Sequence, residues 1–384
     1  YQLMKAIKPS KQVLASTVTG AALLLGSVAP AHALGITVNS TADNTTDDTH
    51  CTLREALVAA NTNYAYHGCD TGAAGTDTID LTSVSGTIIL VSNLTPITGT
   101  GEHIVLNGPG EANLTIDGGG TNRTIYSTGT GNDVTVEDLT ITQSSGHGIY
   151  ARNSITVTNS TISGNTDSGV MAYVGKANVT NSTISGNGSY GVYGWKGATV
   201  TNSTISGNTS DGVFSKNDAT VTNSTISGNG NHGVYARDFA DATVTNSTIS
   251  GNGNHGVSAG DDATVTNSTI VSNTGYGVKA PYGNASVTNS TISENTGDGV
   301  YAQDDATVTN STNSEISGGG IVSGKNATVT NSTISGNGSH GVFAGAKYPA
   351  TATVTNSTIV SNTGDGVYAQ DDATVTNSTI SGNT

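Results

Sequence analysis

The phrase Val-Thr-Asn-Ser-Thr recurs through most of this chain, with its Asn at 159, 181, 202, 223, 246, 267, 289, 310, 331, 356 and 377. Successive intervals are 22, 21, 21, 23, 21, 22, 21, 21, 25 and 21 residues. A second anchor, Gly followed by Val or Ile, sets its apolar residue 11 positions after that Asn in each repeat, as at Val170, Val213 and Val300. Every change in length therefore falls between that apolar residue and the next Val-Thr-Asn. A stacked coil tolerates insertions there because they bulge outward without shifting the register of the wall.

Within a repeat the pattern has a period of two, the period of strands. In Ala198-Thr199-Val200-Thr201, Ala and Val face one way and both Thr the other. Asn202 follows, a residue that tolerates the left-handed backbone a corner requires. Ser203 and Ile205 then point inward, Gly207-Asn208 opens a second corner, and Gly212-Val213-Phe214-Ser215 supplies a third strand with Val213 and Ser215 inside. Three short strands and three corners in about 21 residues describe an all-β fold, a parallel β-helix solenoid of about twelve coils. Asn stacked over Asn at successive corners predicts amide ladders. One coil departs: Thr312-Asn313-Ser314-Glu315 sets Asn313 in the Ile column, which predicts a weak coil or a local bulge that turns Ile316 inward.

Composition agrees with a coil of corners. Gly accounts for 51 of 384 residues and only 11% are charged, against about 25% in an ordinary globular domain. Disorder driven by charge needs a far higher density. A net charge of −15 argues against a nucleic-acid partner, whose phosphates attract basic surfaces. Two cysteines are too few for a disulfide scaffold or a four-thiolate zinc site.

Residues 1–33 read as a secretory signal: Lys5, Lys8 and Lys11, a short apolar run around Leu23-Leu24-Leu25, and Ala31-His32-Ala33 for cleavage. With those three lysines gone the charge becomes −18. No apolar stretch is long enough to span a membrane. In an exported chain Cys51 and Cys69 can form a disulfide worth about 3 kcal/mol through loop closure; two free thiols are the alternative. The sequence stops at Thr384 inside a repeat, so the expectation is a missing C-terminal region that anchors the protein.

Residues 34–130 do not repeat and are expected to form an N-terminal cap with the first irregular coils, ahead of an array over 131–384. Thr52-Leu53-Arg54-Glu55 is a capping box, and Leu53, Ala56, Leu57 and Ala60 make a short amphipathic helix suited to covering the open end. Cys51-Thr52-Leu53-Arg54-Glu55-Ala56-Leu57, with Ala59-Ala60-Asn61 after it, resembles the CSLREA domain, with Thr52 in place of that motif's Ser. Asp77-Thr78-Ile79-Asp80-Leu81, Gly108-Pro109-Gly110 and Leu114-Thr115-Ile116-Asp117-Gly118 fit the same resemblance. It implies the cap of an exported bacterial right-handed parallel β-helix protein, secreted or held at the cell surface. The remaining repeats resemble pectate-lyase-like β-helix repeats, in which enzymes place their active sites on the sheet corresponding to the Gly-Val-x-Ala strand.

Candidate chemistry is sparse. Gly146-His147-Gly148 and the Asp pairs at 261–262, 304–305 and 371–372 resemble polygalacturonase elements, but both are products of the repeat, and the Arg-x-Lys partner is absent. Near-identical coils offer no single point where carboxylates converge on a metal. No catalytic residue, metal site or cofactor is therefore assigned, and enzymatic activity is not the favoured expectation. The sharper patch follows each Gly-Val. There Tyr193, Trp195, Phe214, Lys216, Tyr235 and Arg237, with His232 just before its Gly-Val, fall on outward positions of three neighbouring coils. Aromatic faces beside cations suit sugar rings and acidic glycans, although an aromatic ladder that merely stabilises stacking fits the same residues. Paired columns from Thr199/Thr201 to Thr374/Thr376 resemble the Thr-x-Thr arrays of ice-binding β-helices, and Thr also simply suits a solvated strand. The expected function is an exported structural or adhesive β-helix that binds extracellular polysaccharide or cell-surface glycan. A polysaccharide lyase, hydrolase or epimerase is the alternative, and an ice- or surface-ordering array the third reading.

Overall fold

A computed structural model describes residues 35–347 and 349–384; the expected signal segment lies outside them. Three parallel sheets form the wall. The first has fifteen strands, from Ile36–Thr37 to Ala373–Thr376; the second fourteen, from Gly86–Ile89 to Thr379–Ser381; the third twelve, from Ile125–Ser127 to Val367–Ala369. Like residues pair with like: Ala198 with Ala219 and Val200 with Val221 in the first sheet, Ile205 with Ile226 in the second, Val213 with Val234 in the third. The inward Ala, Val and Ile columns are buried and form one continuous core. The outward Thr columns of the first sheet also run in register, with Ser286 taking one Thr position.

The corners follow from residue type. Asn202 has φ 50° and Gly207 φ 62°, and the same Asn corner recurs from Asn159 to Asn377. Three polar ladders line these corners. Ser203 donates its backbone N–H to Ser224 Oγ (3.1 Å) and its hydroxyl to the Thr201 carbonyl (2.7 Å). Buried Asn208 donates both its backbone N–H (3.1 Å) and its amide (3.0 Å) to Asn229 Oδ1. At the exposed corner, Asn202 Nδ2 donates to Asn181 Oδ1 at 3.2 Å. The Ser ladder and the buried Asn ladder supply partners to backbone groups that a tight corner removes from the sheets.

The departing coil is an exchange of two residues. Asn313 occupies the Ile column between Ile292 and Ile334, and Ile316 occupies the buried Asn column, with its N–H donating to Asn337 Oδ1 (3.1 Å). Both are 1% exposed. Asn313 Nδ2 reaches the Gly320 carbonyl (2.9 Å), but its Oδ1 has no partner. The Asn ladder is interrupted here, and Asn295 turns its amide to the carbonyls of Ile270 and Ser293. Glu315 takes the left-handed corner at φ 56°, where most coils have Gly.

Helix Leu53–Thr62 carries the capping box: Thr52 accepts from the Glu55 N–H, and Glu55 Oε2 accepts from the Thr52 N–H (3.0 Å). It buries Leu53, Ala56, Leu57, Ala59 and Ala60 against the first strands, Ile36–Thr37 and Thr76–Asp80. Arg54 fixes the adjoining loops, bidentate to Asp43 (2.8 Å each) and donating to the carbonyls of Ser92 and Asn93. Cys51 and Cys69 form a disulfide beside it, with Cα atoms 4.7 Å apart. The helix therefore closes the N-terminal end of the core, where a bare sheet edge would otherwise face solvent.

Candidate functional site

The third sheet and the turns on either side of its strands carry most of the array's aromatic residues. Its strands are three residues long, so the middle residue of each points outward and pairs with the middle residue of the next coil. The resulting column runs Tyr126, Tyr150, Met171, Tyr193, Phe214, Tyr235, Ser258, Lys279 and Tyr301. Tyr193 and Phe214 stack with centroids 5.0 Å apart and planes 9° apart. Phe214 meets Tyr235 edge-on at 5.5 Å, and His232 lies 4.8 Å from Tyr235. One position further out, Tyr173 neighbours Trp195 at 6.5 Å, and Lys216 Nζ sits 3.8 Å over the Trp195 ring. Arg237 lies 3.5 Å from Asp238.

All seven residues of the expected patch are thus on one sheet, but they divide into two kinds. Phe214 is 5% exposed, covered by Tyr190, Tyr193 and Tyr235. The expectation that it faces a ligand is corrected: at about 5 Å spacing, neighbouring large rings bury one another, and Phe214 holds the stack together. His232 is similarly enclosed. Trp195, Lys216 and Arg237 remain accessible and form the outer face.

The position before each Gly-Val follows a rule of its own. His147, Asp211, His232, His255, Asp298 and His340 each accept the backbone N–H of the equivalent residue one coil on, through Nδ1 or Oδ1. Acceptance at Nδ1 leaves the proton of a neutral imidazole on Nε2. Burial is the largest influence on His232, His255 and Asp211. It lowers His232 to about 4 and His255 to about 3, with Lys279 nearby adding to both, and raises Asp211 to about 6. Burial also lowers Lys279.

A cavity of about 350 Å³ opens beside this column, lined by His232, Tyr235, Asp238, His255, Ser258, Lys279 and Tyr282 among others. Two inserted loops wall it. The loop at 237–241 belongs to the 23-residue repeat and that at 281–284 to a 22-residue repeat, with a 21-residue repeat between them. Phe239 and Tyr282, 80% and 63% exposed, reach over that intervening coil to 5.8 Å centroid separation. The residue pattern alone did not mark His255, Lys279 or Tyr282 as a site. The usable signal was the run of intervals 23, 21, 22, two lengthened loops flanking a regular coil.

Among the described residues, no group of three or more His, Cys, Asp or Glu is arranged to hold a metal ion. Among them also, no helix is long and apolar enough to cross a membrane.

The model of the right-handed β-helix region matches residues 32–209, 123–261, 212–349 and 257–384, overlapping spans that together run through the array. The chain belongs to the right-handed β-helix family. Among curated proteins none matches it. Similar solved structures include the A-module of a mannuronan C-5 epimerase from Azotobacter vinelandii, at 16% identity and TM-score 0.45, covering 88% of this chain and 97% of that one. A surface adhesin of Streptococcus pneumoniae is similar at 12% identity and TM-score 0.31, covering 90% and 92%. The Dettilon tailspike protein is similar at 10% identity and TM-score 0.31, covering 87% and 66%. At these identities the likenesses say nothing of ligand or chemistry.

Proposed function

We propose that this β-helix is an exported or surface-held protein that binds glycans through the outer face of its third sheet. The observation that carries the reading is the ring–cation pair of Trp195 and Lys216, left accessible at 3.8 Å on a rigid strand wall. An indole face beside an ammonium group offers a sugar ring both an apolar surface and charged donors. The stack of Tyr193 on the enclosed Phe214 beside it fixes the face in advance, which lowers the ordering cost of binding. Export rests on the resemblance of Cys51–Leu57 to the CSLREA motif and on the signal-like residues 1–33, and the Cys51–Cys69 disulfide is chemistry suited to an oxidising compartment. Substituting Trp195→Ala together with Arg237→Ala and measuring retention on a glycan array tests the reading. Retention is expected to fall for every glycan that the unaltered protein holds, and unchanged retention would refute the face.

A second reading, a polysaccharide-processing enzyme, is favoured by one observation. The cavity between the two inserted loops gathers two imidazoles, an ammonium and a carboxylate at one place, and a convergent constellation is what catalysis requires. Assays for unsaturated or reducing-end products on acidic polysaccharides distinguish the readings, since a pure binder releases neither.

A further inference from the structure

The contact between Lys279 and His255 joins two hydrogen-bond donors. Lys279 Nζ lies 3.2 Å from His255 Nε2. His255 Nδ1 already accepts the Tyr276 backbone N–H at 2.9 Å, so in the neutral ring Nε2 carries the proton. An ammonium group has only donors. Two donors 3.2 Å apart, at the wall of a partly enclosed cavity, lack an acceptor between them. His232 repeats the arrangement one coil earlier: its Nδ1 accepts the His255 N–H at 3.2 Å, which leaves its own Nε2 proton free of the backbone. The carboxylate in the cavity wall, Asp238, is engaged by Arg237 at 3.5 Å. The missing partner of this cluster is an anion.

The loops add shape to that charge. Tyr282 lines the cavity with a largely exposed ring, braced by Phe239 at 5.8 Å, and a volume of about 350 Å³ is of the order of one or two sugar rings. A small inorganic anion has no use for such walls. Resting on the glycan-binding reading above, we propose that this cavity is the subsite for a uronic-acid residue, whose carboxylate bridges Lys279 Nζ and His255 Nε2 while its ring lies against Tyr282. The Trp195–Lys216 face, with Lys216 two coils and Trp195 three coils before His255, would hold sugars further along the same chain.

Other ionisable groups face this pair. Tyr235, Asp238 and His232 approach from the preceding coils, Tyr276 and Tyr282 from the same coil as Lys279, and Asp298 and Tyr301 from the next. None of the carboxylates among them forms an ion pair with Lys279, so the ammonium is available to a ligand.

The test uses the whole chain with a tetramer of galacturonate and with its fully methyl-esterified counterpart, which keeps the rings and removes the charge. Titration calorimetry is expected to show the acid binding at least about tenfold more tightly than the ester, the scale of one charge-assisted hydrogen bond. Lys279→Met is expected to abolish that preference. Trp195→Ala weakens both ligands and so reports on the glycan face separately. Equal binding of acid and ester overturns the uronate subsite while sparing the face; binding of neither overturns both. Retained acid preference in Lys279→Met also overturns the subsite. Should that variant fold poorly, the His255 ring is read by NMR in the unaltered protein. A bound carboxylate at Nε2 is expected to raise the pH at which this ring titrates by about one unit or more, and an unmoved titration with the acid bound refutes the contact. Sodium phosphate at the same concentration distinguishes general anion binding: displacement of the tetramer by phosphate alone overturns specificity for a sugar acid.

Discussion

Exchanging two residues, Asn313→Ile with Ile316→Asn, returns the departing coil to the pattern of its neighbours without changing the composition. Both positions are 1% exposed, so the apolar area buried by the isoleucine is nearly the same before and after. What changes is hydrogen bonding. Asn313 Oδ1 has no partner, a cost of about 1–3 kcal/mol for a buried acceptor. An amide at position 316 would rejoin the ladder between Asn295 and Asn337, taking the Asn295 backbone N–H as Asn229 Oδ1 takes that of Asn208. That adds about 1 kcal/mol net. The Asn295 amide already has two carbonyl acceptors, at 3.1 and 3.0 Å, and contributes little further. The expected gain is therefore about 2–4 kcal/mol, located in one coil. Stability in a solenoid is a sum of local terms, so the sharpest assay is hydrogen exchange of amides 312–323, where protection should rise by at least tenfold. Asn313→Ile alone removes the orphaned oxygen and should carry most of the gain, whereas Ile316→Asn alone gives up a buried isoleucine and should destabilise the coil. Unchanged or reduced protection in the double variant would show that the orphaned oxygen is not what weakens this coil.

Further outcomes follow from the same structure. His232 and His255, with folded-state values near 4 and 3, bind protons only on unfolding as pH falls from about 6.5. Their stabilisation is present above that pH and is lost on acidification. Asp211, near 6 when folded, acts in the opposite sense: its contribution is present below about pH 4 and is lost as pH rises through 6. Asp211→Asn should therefore steepen the loss of stability on going from pH 6 to pH 4 by about 1.4 kcal/mol per pH unit, measured by denaturant midpoints; parallel profiles for the two proteins would refute the assignment. Phe214→Ala should cost about 3 kcal/mol because the ring is enclosed. Trp195→Ala should cost less than about 0.5 kcal/mol while removing glycan retention, and thermal unfolding of the two variants separates the roles. Reduction of Cys51–Cys69 should cost about 3 kcal/mol, seen as lost exchange protection in helix Leu53–Thr62 while the coils beyond residue 150 keep theirs.

Much of this architecture was legible residue by residue because a solenoid has almost no long-range ambiguity. Ala198, Val200, Ser203, Ile205 and Val213 each meet the same residue type one repeat away, so the period alone assigns their partners. Asn202 and Gly207 declare their corners because few other residues adopt positive φ cheaply. The capping box at Thr52 and Glu55 is equally local.

The sequence by itself determined the wall: three strands a coil, their register, the inward columns and the N-terminal helix. It also marked the coil at Asn313 as irregular, since a polar residue in an apolar column is visible without coordinates. Tertiary structure decided which outward residues are truly outside. Phe214 and Tyr193 occupy the same column and differ in burial because rings stacked at about 5 Å shield one another, a packing effect no periodicity carries. It also decided that the loops 237–241 and 281–284 meet across the coil between them through Phe239 and Tyr282. Insertions follow no repeat, so their course depends on side-chain contacts made only once the coils have stacked. The cavity with His255 and Lys279 exists because of that meeting.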